Sequence, residues 1–471
     1  MNKGTITVFL SLVLTLVLSL ISACIEGARV AAIRSRIEMV SDMGLYSVFA
    51  EYNRELLKSY DLYYIDTSYG KGKPSLENTR EHFKSYVSYN LDPSKGQLSF
   101  FDVDMLKLKC SGVSLDAPSY ATDNAGRVFK RQAIRSVKDR FGINILNSVK
   151  NNLSTYKAGD FENDRADKQI EKIQKKMDSL DWEGAKNPVS GVLDKRDGII
   201  DLIMNRQRNI SEKSFELNSV ASHRKLNEGI GLVKPAEDPD SFTNELLFDE
   251  YLMWKCGNFR KLIGHEDMSY EIEYILNGKN TDKANLRETI NKLFIVHLAK
   301  DVAAVMSDGA KKEECKSVAL VISSLLLLPE LEEVLTEFFL LSWGFAEAVV
   351  DVRTLLNGGR VSLIKTGDDF NIKNLAGCLA FMTMKGRSAE ESQGGLSYED
   401  HLRIFLALQN KSEKVMRSID VIELYMRTRE GNSSFKMDSC LEYVQSELTV
   451  KSGFGYEYSI RREFAYEPVI E

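Results

Sequence analysis

Histidines, cysteines and paired carboxylates are the residues of this chain that could do chemistry, and their spacing argues against most of it. His82, His223, His265, His297 and His401 stand apart. An imidazole metal site, or a histidine-activated nucleophile, would have to be assembled from distant loops. The single local donor cluster, His265-Glu266-Asp267, reads as a solvated loop. Cys24, Cys110, Cys256, Cys315, Cys378 and Cys440 contain no C-x-x-C pair, which excludes a zinc ribbon or a thioredoxin-type centre. A chain of 471 residues does not need disulfides to fold, so unpaired thiols are expected. Gly70-Lys71-Gly72-Lys73 lacks the third glycine of a phosphate-cradling loop and reads as a turn. Asp368-Asp369 and Glu390-Glu391 read as surface pairs. No P-loop, nucleophile elbow, zincin helix or EF-hand loop is present. No catalytic, cofactor-binding or metal-ligating residue is nominated, and a non-catalytic protein is expected. One covalent chemistry does fit a local pattern. Ile21-Ser22-Ala23-Cys24 has the form of a lipobox, in which Cys24 would become a lipidated N-terminus.

Composition narrows the partners. The net charge is -6, so the overall basic footprint of a nucleic-acid binder is absent. The most basic stretch, Lys130, Arg131, Arg135, Lys138 and Arg140, reads as a solvated helix face. Apolar residues make up 43% and charged residues 28%, which is enough apolar material for a real core.

The segment that must position everything else is the first. Ile6 to Ile25 carries no charge over twenty residues. As a helix it spans about 30 Å, the thickness of a bilayer's hydrocarbon core. It could be a cleaved secretory signal, though no clean A-x-A site follows. It could be the lipoprotein signal ending at Cys24, or an uncleaved anchor. The anchor is favoured because the helical pattern continues. Val30, Ile33, Ile37, Val40, Gly44, Val48, Tyr52 and Leu56 recur every three or four residues with no proline, one apolar stripe on a stiff rod. A continuous helix from Thr5 to Ser59 would be about 80 Å long. Counted naively, Arg29, Arg34 and Arg36 favour a cytosolic domain by the positive-inside rule.

Further along, Leu62–Ile65, Leu98–Val103 and Met105–Leu115 read as strands, and Leu76–Leu91 as a helix. Residues 124–231 read as largely helical, with Asn187-Pro188 as a break and 157–184 as a polar exposed insertion. Pro235 to Ser241 is a turn-rich break. Tyr270–Leu276 alternates like a strand, and Thr281–Ser307 reads as a capped helix. Residues 309–357 read as two core helices and Tyr398–Thr428 as one amphipathic helix. Leu448 to Tyr466 alternates around Gly453-Phe454-Gly455 as a β-hairpin. The expected fold is α+β and predominantly helical. A long N-terminal transmembrane and rod helix (1–59) docks on a mixed domain with a small antiparallel sheet. Residues 60–234 form a mixed region, and 235–471 a helical core ending in the hairpin. The stripe should dock beside residues 98–115 and 448–466. Arg34, Glu38, Asp42, Glu51 and Glu55 would then face outward.

Lys3-Gly4-Thr5-Ile6-Thr7-Val8-Phe9, followed by leucine-rich sequence and then Glu26-Gly27-Ala28-Arg29-Val30-Ala31-Ala32-Ile33-Arg34-Ser35-Arg36, resembles the pseudopilins of tight-adherence (Tad/Flp) pilus systems. More closely it resembles an uncharacterised family of Firmicute single-pass membrane proteins associated with those systems. The likeness extends through Val48-Phe49-Ala50-Glu51-Tyr52, the run Tyr270 to Lys279, Ser342-Trp343-Gly344-Phe345-Ala346-Glu347 with Asp351-Val352-Arg353, and Gly395 to Arg403. It implies an extracytoplasmic bulk, a membrane partner, and contacts with pilus or secretion-system subunits through the N-terminal helix. A pilin-type peptidase cut would fall between Gly4 and Thr5. The sequence departs from pilins at the fifth residue after that cut, Phe9, where they carry glutamate. The resemblance therefore implies a tip, minor or accessory subunit, or an unprocessed anchor, rather than a filament body.

Overall fold

The computed structural model describes residues 3–70, 73–92, 106–138, 143–158, 175, 203–204, 210–233, 238–265, 267–325, 327–366, 369–378 and 395–467. The strand expected at Leu98–Val103, the polar insertion beyond residue 158 apart from Lys175, Asn187-Pro188, Asp368 and Glu390-Glu391 lie outside them. The chain divides into two compact units that are not consecutive in sequence. The first gathers residues 1–132, 225–238 and 429–471, and the second residues 133–224 and 239–428. The turn-rich break at Pro235–Ser241 contains one of these boundaries.

In the first unit, α1 (Lys3–Phe49) is followed by α2 (Arg54–Tyr60), β1 (Ile65–Asp66), α3 (Leu76–Leu91), β2 (Leu108–Tyr120) and the start of α4 (Asp123–Lys138), whose residues from Ala133 on belong to the second unit, and the first unit ends in β3 (Cys440–Ser452) and β4 (Glu457–Ala465). All four strands form one antiparallel sheet with β3 at its centre. β2 lies along one side, with Leu108 opposite Ser452. β1 and β4 share the other, with Ile65 opposite Leu441 and Ile460 opposite Leu448. β2 runs five residues past the expected Leu115, through an irregularity where Ala117 has a left-handed φ of 49° ahead of Pro118. The α+β, mainly helical class, the long first helix and the small antiparallel sheet are all as the sequence led us to expect.

The rod is shorter than the stripe suggested. α1 ends at Phe49, and Asn53, in an extended conformation, accepts the Leu56 N–H and starts a separate helix. An asparagine side chain satisfies an orphan N–H of a new helix better than it continues an old one. Within α1 the two halves differ sharply. From Ile6 to Ile25 the large apolar side chains are exposed. Ile33, Ile37, Val40, Leu45, Val48 and Phe49 are buried against Phe83 and Val87 of α3 and Leu441, Val444, Leu448 and Val450 of β3. Phe464 of β4 packs on Tyr46 and Phe49 at centroid distances of 4.9 and 4.5 Å. Gly44 faces α3 so closely that a Cβ there would lie 2.7 Å from the buried Phe83 ring.

The outward face is not uniformly solvated. Asp42 pairs with Arg462 at 3.2 Å. Glu51, expected to look outward, is 23% exposed and accepts from Tyr86 Oη at 2.7 Å, with His82 Nδ1 at 2.9 Å. The chain turns after Phe49 and carries Glu51 toward α3, a bend the stripe could not reveal. Glu51→Lys should therefore be costly. We expect a loss of about 1.5–3 kcal/mol, the usual cost of hydrogen bonds to a charged group, measured by denaturant unfolding of the detergent-solubilised chain. A change below 0.5 kcal/mol, the range of ordinary surface substitutions, would mean that these bonds contribute nothing.

The second unit is helical among its described residues: α5 (Ile143–Ala158), α6 (Phe242–Lys255), α7 (Glu271–Asn277), α8 (Asp282–Ser307), α9 (Gly309–Leu325), α10 (Leu331–Leu356), α11 (Tyr398–Leu408) and α12 (Lys411–Arg427). α9 and α10 are the two core helices expected at 309–357. Trp343, Phe339 and Leu340 of α10 pack with Cys315 and Ala319 of α9. Three expectations fail here. Tyr270–Leu276 is a helix, not a strand. Its alternating acids are buried rather than solvated, because Gly257 N–H binds Glu271 and Phe259 N–H binds Glu273. Gly278 then closes the helix at a left-handed φ of 65°. Tyr398–Thr428 is two helices, because Asn410 caps the second by accepting Glu413 N–H. Residues 210–220 are not helical. Their backbone pairs with the α7–α8 connection instead, Phe215 N–H to Asn280 O and Asp282 N–H to Lys213 O.

Candidate functional site

Gly4 and Thr5 lie inside α1, with open space around Gly4. Gly4–Phe49 is, among the described residues, the one helix long and apolar enough to cross a membrane; its most apolar window has a mean hydropathy of 2.7 and no buried residue. Ile6 and Ile25, the expected ends of the span, are exposed, as is Cys24, and no disulfide joins any of the six cysteines.

The densest chemistry lies elsewhere, inside the second unit, and the sequence reading missed it. Four side chains come from two helices, each pair one helical turn apart: His297 and Asp301 on α8, Glu347 and Asp351 on α10. Residues four apart share a helix face, so each helix presents an acid or imidazole pair to the other. Gly344 lets them meet. A Cβ at Gly344 would lie 2.8 Å from the Val302 backbone of α8, so any larger residue would push the helices apart. Lys365, from the loop after α10, enters from one side. Its Nζ lies 2.7 Å from Asp351 Oδ1, 2.8 Å from Glu347 Oε1 and 3.3 Å from Asp301 Oδ1. Glu347 is fixed further by the Asn371 N–H at 2.8 Å and the Ile372 N–H at 3.0 Å. The lysine side chain is 4% exposed and the acids 0–2%.

On the far side stands a histidine pair. His401 of α11 has Nδ1 2.7 Å from Ser397 O. A carbonyl only accepts, so Nδ1 carries the proton and Nε2 is bare in a neutral ring. The His297 Nε2, 3.2 Å away, must then donate to it. That leaves His297 Nδ1 bare, 2.9 Å from Asp351 Oδ2. These tautomers are assigned from the bonding partners, for two neutral rings joined by the Nε2–Nε2 hydrogen bond. Both rings are held neutral. Burial, followed by Lys300 and Lys365, drives His297 well below its usual range. Burial and His297 bring His401 down to about 3. Burial pushes Asp351 up to about 7, against the pull of Lys365. Burial, and then Asp351, raises Asp301 well above the carboxylate range. For Lys365 burial works downward, but Asp301, Asp351 and Glu347 outweigh it and keep the ammonium charged. Burial brings Lys300, beside the cluster, down to about 7. The arrangement can hold protons or a cation in a dry interior.

The histidines thus do not stand apart. The structure brings His297 and His401 together, and from helices rather than loops. His265 is not solvated either: it is 13% exposed and its Nδ1 lies 2.5 Å from Glu271. The available signals were His-x-x-x-Asp and Glu-x-x-x-Asp, each at one-turn spacing on a helix. A separate buried knot joins Lys414 to Asp249 at 2.5 Å and to Glu245 at 3.4 Å, and burial pushes Asp249 up to about 6.

Glu273 of α7 offers a pH test. Its carboxylate accepts from Tyr398 Oη at 2.6 Å and Phe259 N–H at 2.8 Å, yet burial pushes it from its ordinary 4.5 up to about 7. Between those values the folded chain binds a proton that the unfolded chain has released. Stability from this group is present below pH 4.5 and falls as pH rises to about 7. Glu273→Gln should remove that slope, so the variant gains on the parent between pH 5 and 7.5 in urea titrations. Parallel slopes would place the proton on another group.

One apolar helix of membrane-spanning length, a four-stranded sheet seated on that helix, and a helical unit with an ionic interior define the class of this protein. A model for a family of unknown function (DUF5702) matches residues 182–452, more than half of the chain, and the protein belongs to that family. No curated protein and no solved structure matches the chain.

Proposed function

We propose that this protein is a membrane-anchored, extracytoplasmic, non-catalytic structural or accessory component of a Tad/type IV-like pilus or secretion apparatus. The observation that carries the reading is the division of α1. Its first half is apolar and bare, and its second half is the spine of an antiparallel sheet, as in pilin-like subunits. A bare apolar half-helix is available both to lipid and to the equivalent helices of neighbouring subunits. The resemblance of residues 3–36 to pseudopilins supports the same reading. A photo-crosslinker at Leu12 or Leu16 should trap pilus or secretion-apparatus subunits in native membranes. Adducts with lipid alone would overturn the assignment. Protease added to wall-stripped cells should digest the bulk of the chain, and full protection until lysis would overturn the topology.

The second reading, an extracytoplasmic lipoprotein or ligand-binding envelope protein, rests on Ile21-Ser22-Ala23-Cys24 and on the exposed thiol of Cys24. The two readings separate cleanly. With α1 as the anchor, Cys24→Ser stays in the membrane fraction and no radiolabelled fatty acid is incorporated. Release of the variant into the medium would favour the lipoprotein.

A further inference from the structure

We propose that His297, Asp301 and Asp351 form a binding site for one divalent transition-metal ion of the zinc class, a structural ion that ties α8 to α10. All three residues are buried, and one ligand atom from each lies within 4.8 Å of the other two. Two ligands bonded to one zinc at about 2.0–2.2 Å stand at most about 4.4 Å apart, so a small side-chain rotation closes the set.

Three further observations point to a cation. First, the bare Nδ1 of His297 faces Asp351 Oδ2 at 2.9 Å. Two acceptors at that distance repel unless a positive centre lies between them. Second, Asp301 Oδ2 is buried and, among the described residues, no N–H or hydroxyl group donates to it, its side-chain partner being the Asp351 carboxyl. A buried carboxylate oxygen without a donor is costly, and a metal ion satisfies it. Third, Lys365 takes the Oδ1 atoms of both aspartates, which leaves their second oxygens to another partner. Charge agrees with this. When all three carboxylates are ionised, the Lys365 ammonium leaves two negative charges at the heart of the cluster, which one divalent ion would cancel.

The surroundings also suit a metal. A ligating imidazole usually donates its other N–H to a fixed acceptor, which sets its tautomer. His297 does so to His401, which is itself anchored on the Ser397 carbonyl. One imidazole with two carboxylates selects zinc or a neighbouring transition ion over magnesium or calcium, which take oxygen ligands.

The competing occupant is a proton shared between His297 and Asp351, and metal content distinguishes the two. The full-length chain, purified in detergent and stripped with a chelator, is dialysed against micromolar zinc and its metal counted by mass spectrometry. We expect one zinc retained per chain and a rise in Tm of several degrees. Asp301→Asn and His297→Gln should each lose the ion. The asparagine variant is the nearer isostere, and its fold is checked by tryptophan fluorescence. A folded wild-type chain that retains no zinc overturns the proposal. So does a folded Asp301→Asn chain that retains zinc at the same stoichiometry, because the ion then sits elsewhere.

Discussion

A Lys365→Met variant should lose about 3–5 kcal/mol of stability, the range found when one partner of a buried ion pair is removed. Methionine is unbranched and only one atom shorter than lysine, so the loss reports chiefly charge rather than volume. Three carboxylates with side-chain exposures of 0–2% would lose their shared ammonium. The defect should be larger at pH 8 than at pH 5. Asp301 and Asp351, both pushed upward chiefly by burial, can be carried protonated in acid and must ionise uncompensated in base. Trp254 and Trp343 belong to the second unit, and the residues of the first unit include no tryptophan, so tryptophan fluorescence in urea follows this loss directly. A variant as stable as the parent at pH 8 would mean that the acids are neutralised without the lysine.

The second large effect belongs to the first unit. Val40 and Val48 are fully buried between α3 and the sheet. Val40→Asp or Val48→Asp places a carboxylate inside an apolar cluster, and an uncompensated buried charge costs about 3–5 kcal/mol. Met43, 44% exposed on the same helix, is the control, and Met43→Asp should stay within about 0.5 kcal/mol of the parent. Limited proteolysis of the detergent-solubilised chain should open sites in residues 54–132 of the valine variants at a lower temperature than in the parent or the control. Unchanged cleavage would make the second half of α1 a free stalk, and the spine described above would be wrong.

How much of this was legible depended on how local the cause was. The α1 stripe, the α9–α10 pair and the terminal hairpin were readable because period and burial agree along each segment. Tyr270–Leu276 misled because its acids alternate as solvent-facing residues would, while Gly257 and Phe259 N–H groups from a distant loop take them into the interior. The break at Asn410 was readable in principle from the Asn-x-x-Glu pattern, and the end of α1 from Asn53. Of the ionic centre, the one-turn pairs His297/Asp301 and Glu347/Asp351 were visible. Their meeting was not. It depends on Gly344 admitting a close helix contact and on Lys365 and His401, 18 and 54 residues beyond Glu347 in the chain, arriving from different elements.

The central position of β3 sets an order on how the protein is made. Every other strand of the sheet pairs with residues 440–452, and α1 leans on the same strand. About 390 residues separate the end of α1 from the start of β3. At about 5–20 residues per second, the apolar face of residues 33–49 has α3 early but waits roughly 20–80 s for β3 to be synthesised. The helices of the second unit leave the ribosome in that interval, so the segment made first is completed last. A nascent chain stalled before Cys440 would have a fully synthesised second unit and a first unit with no sheet to fold upon.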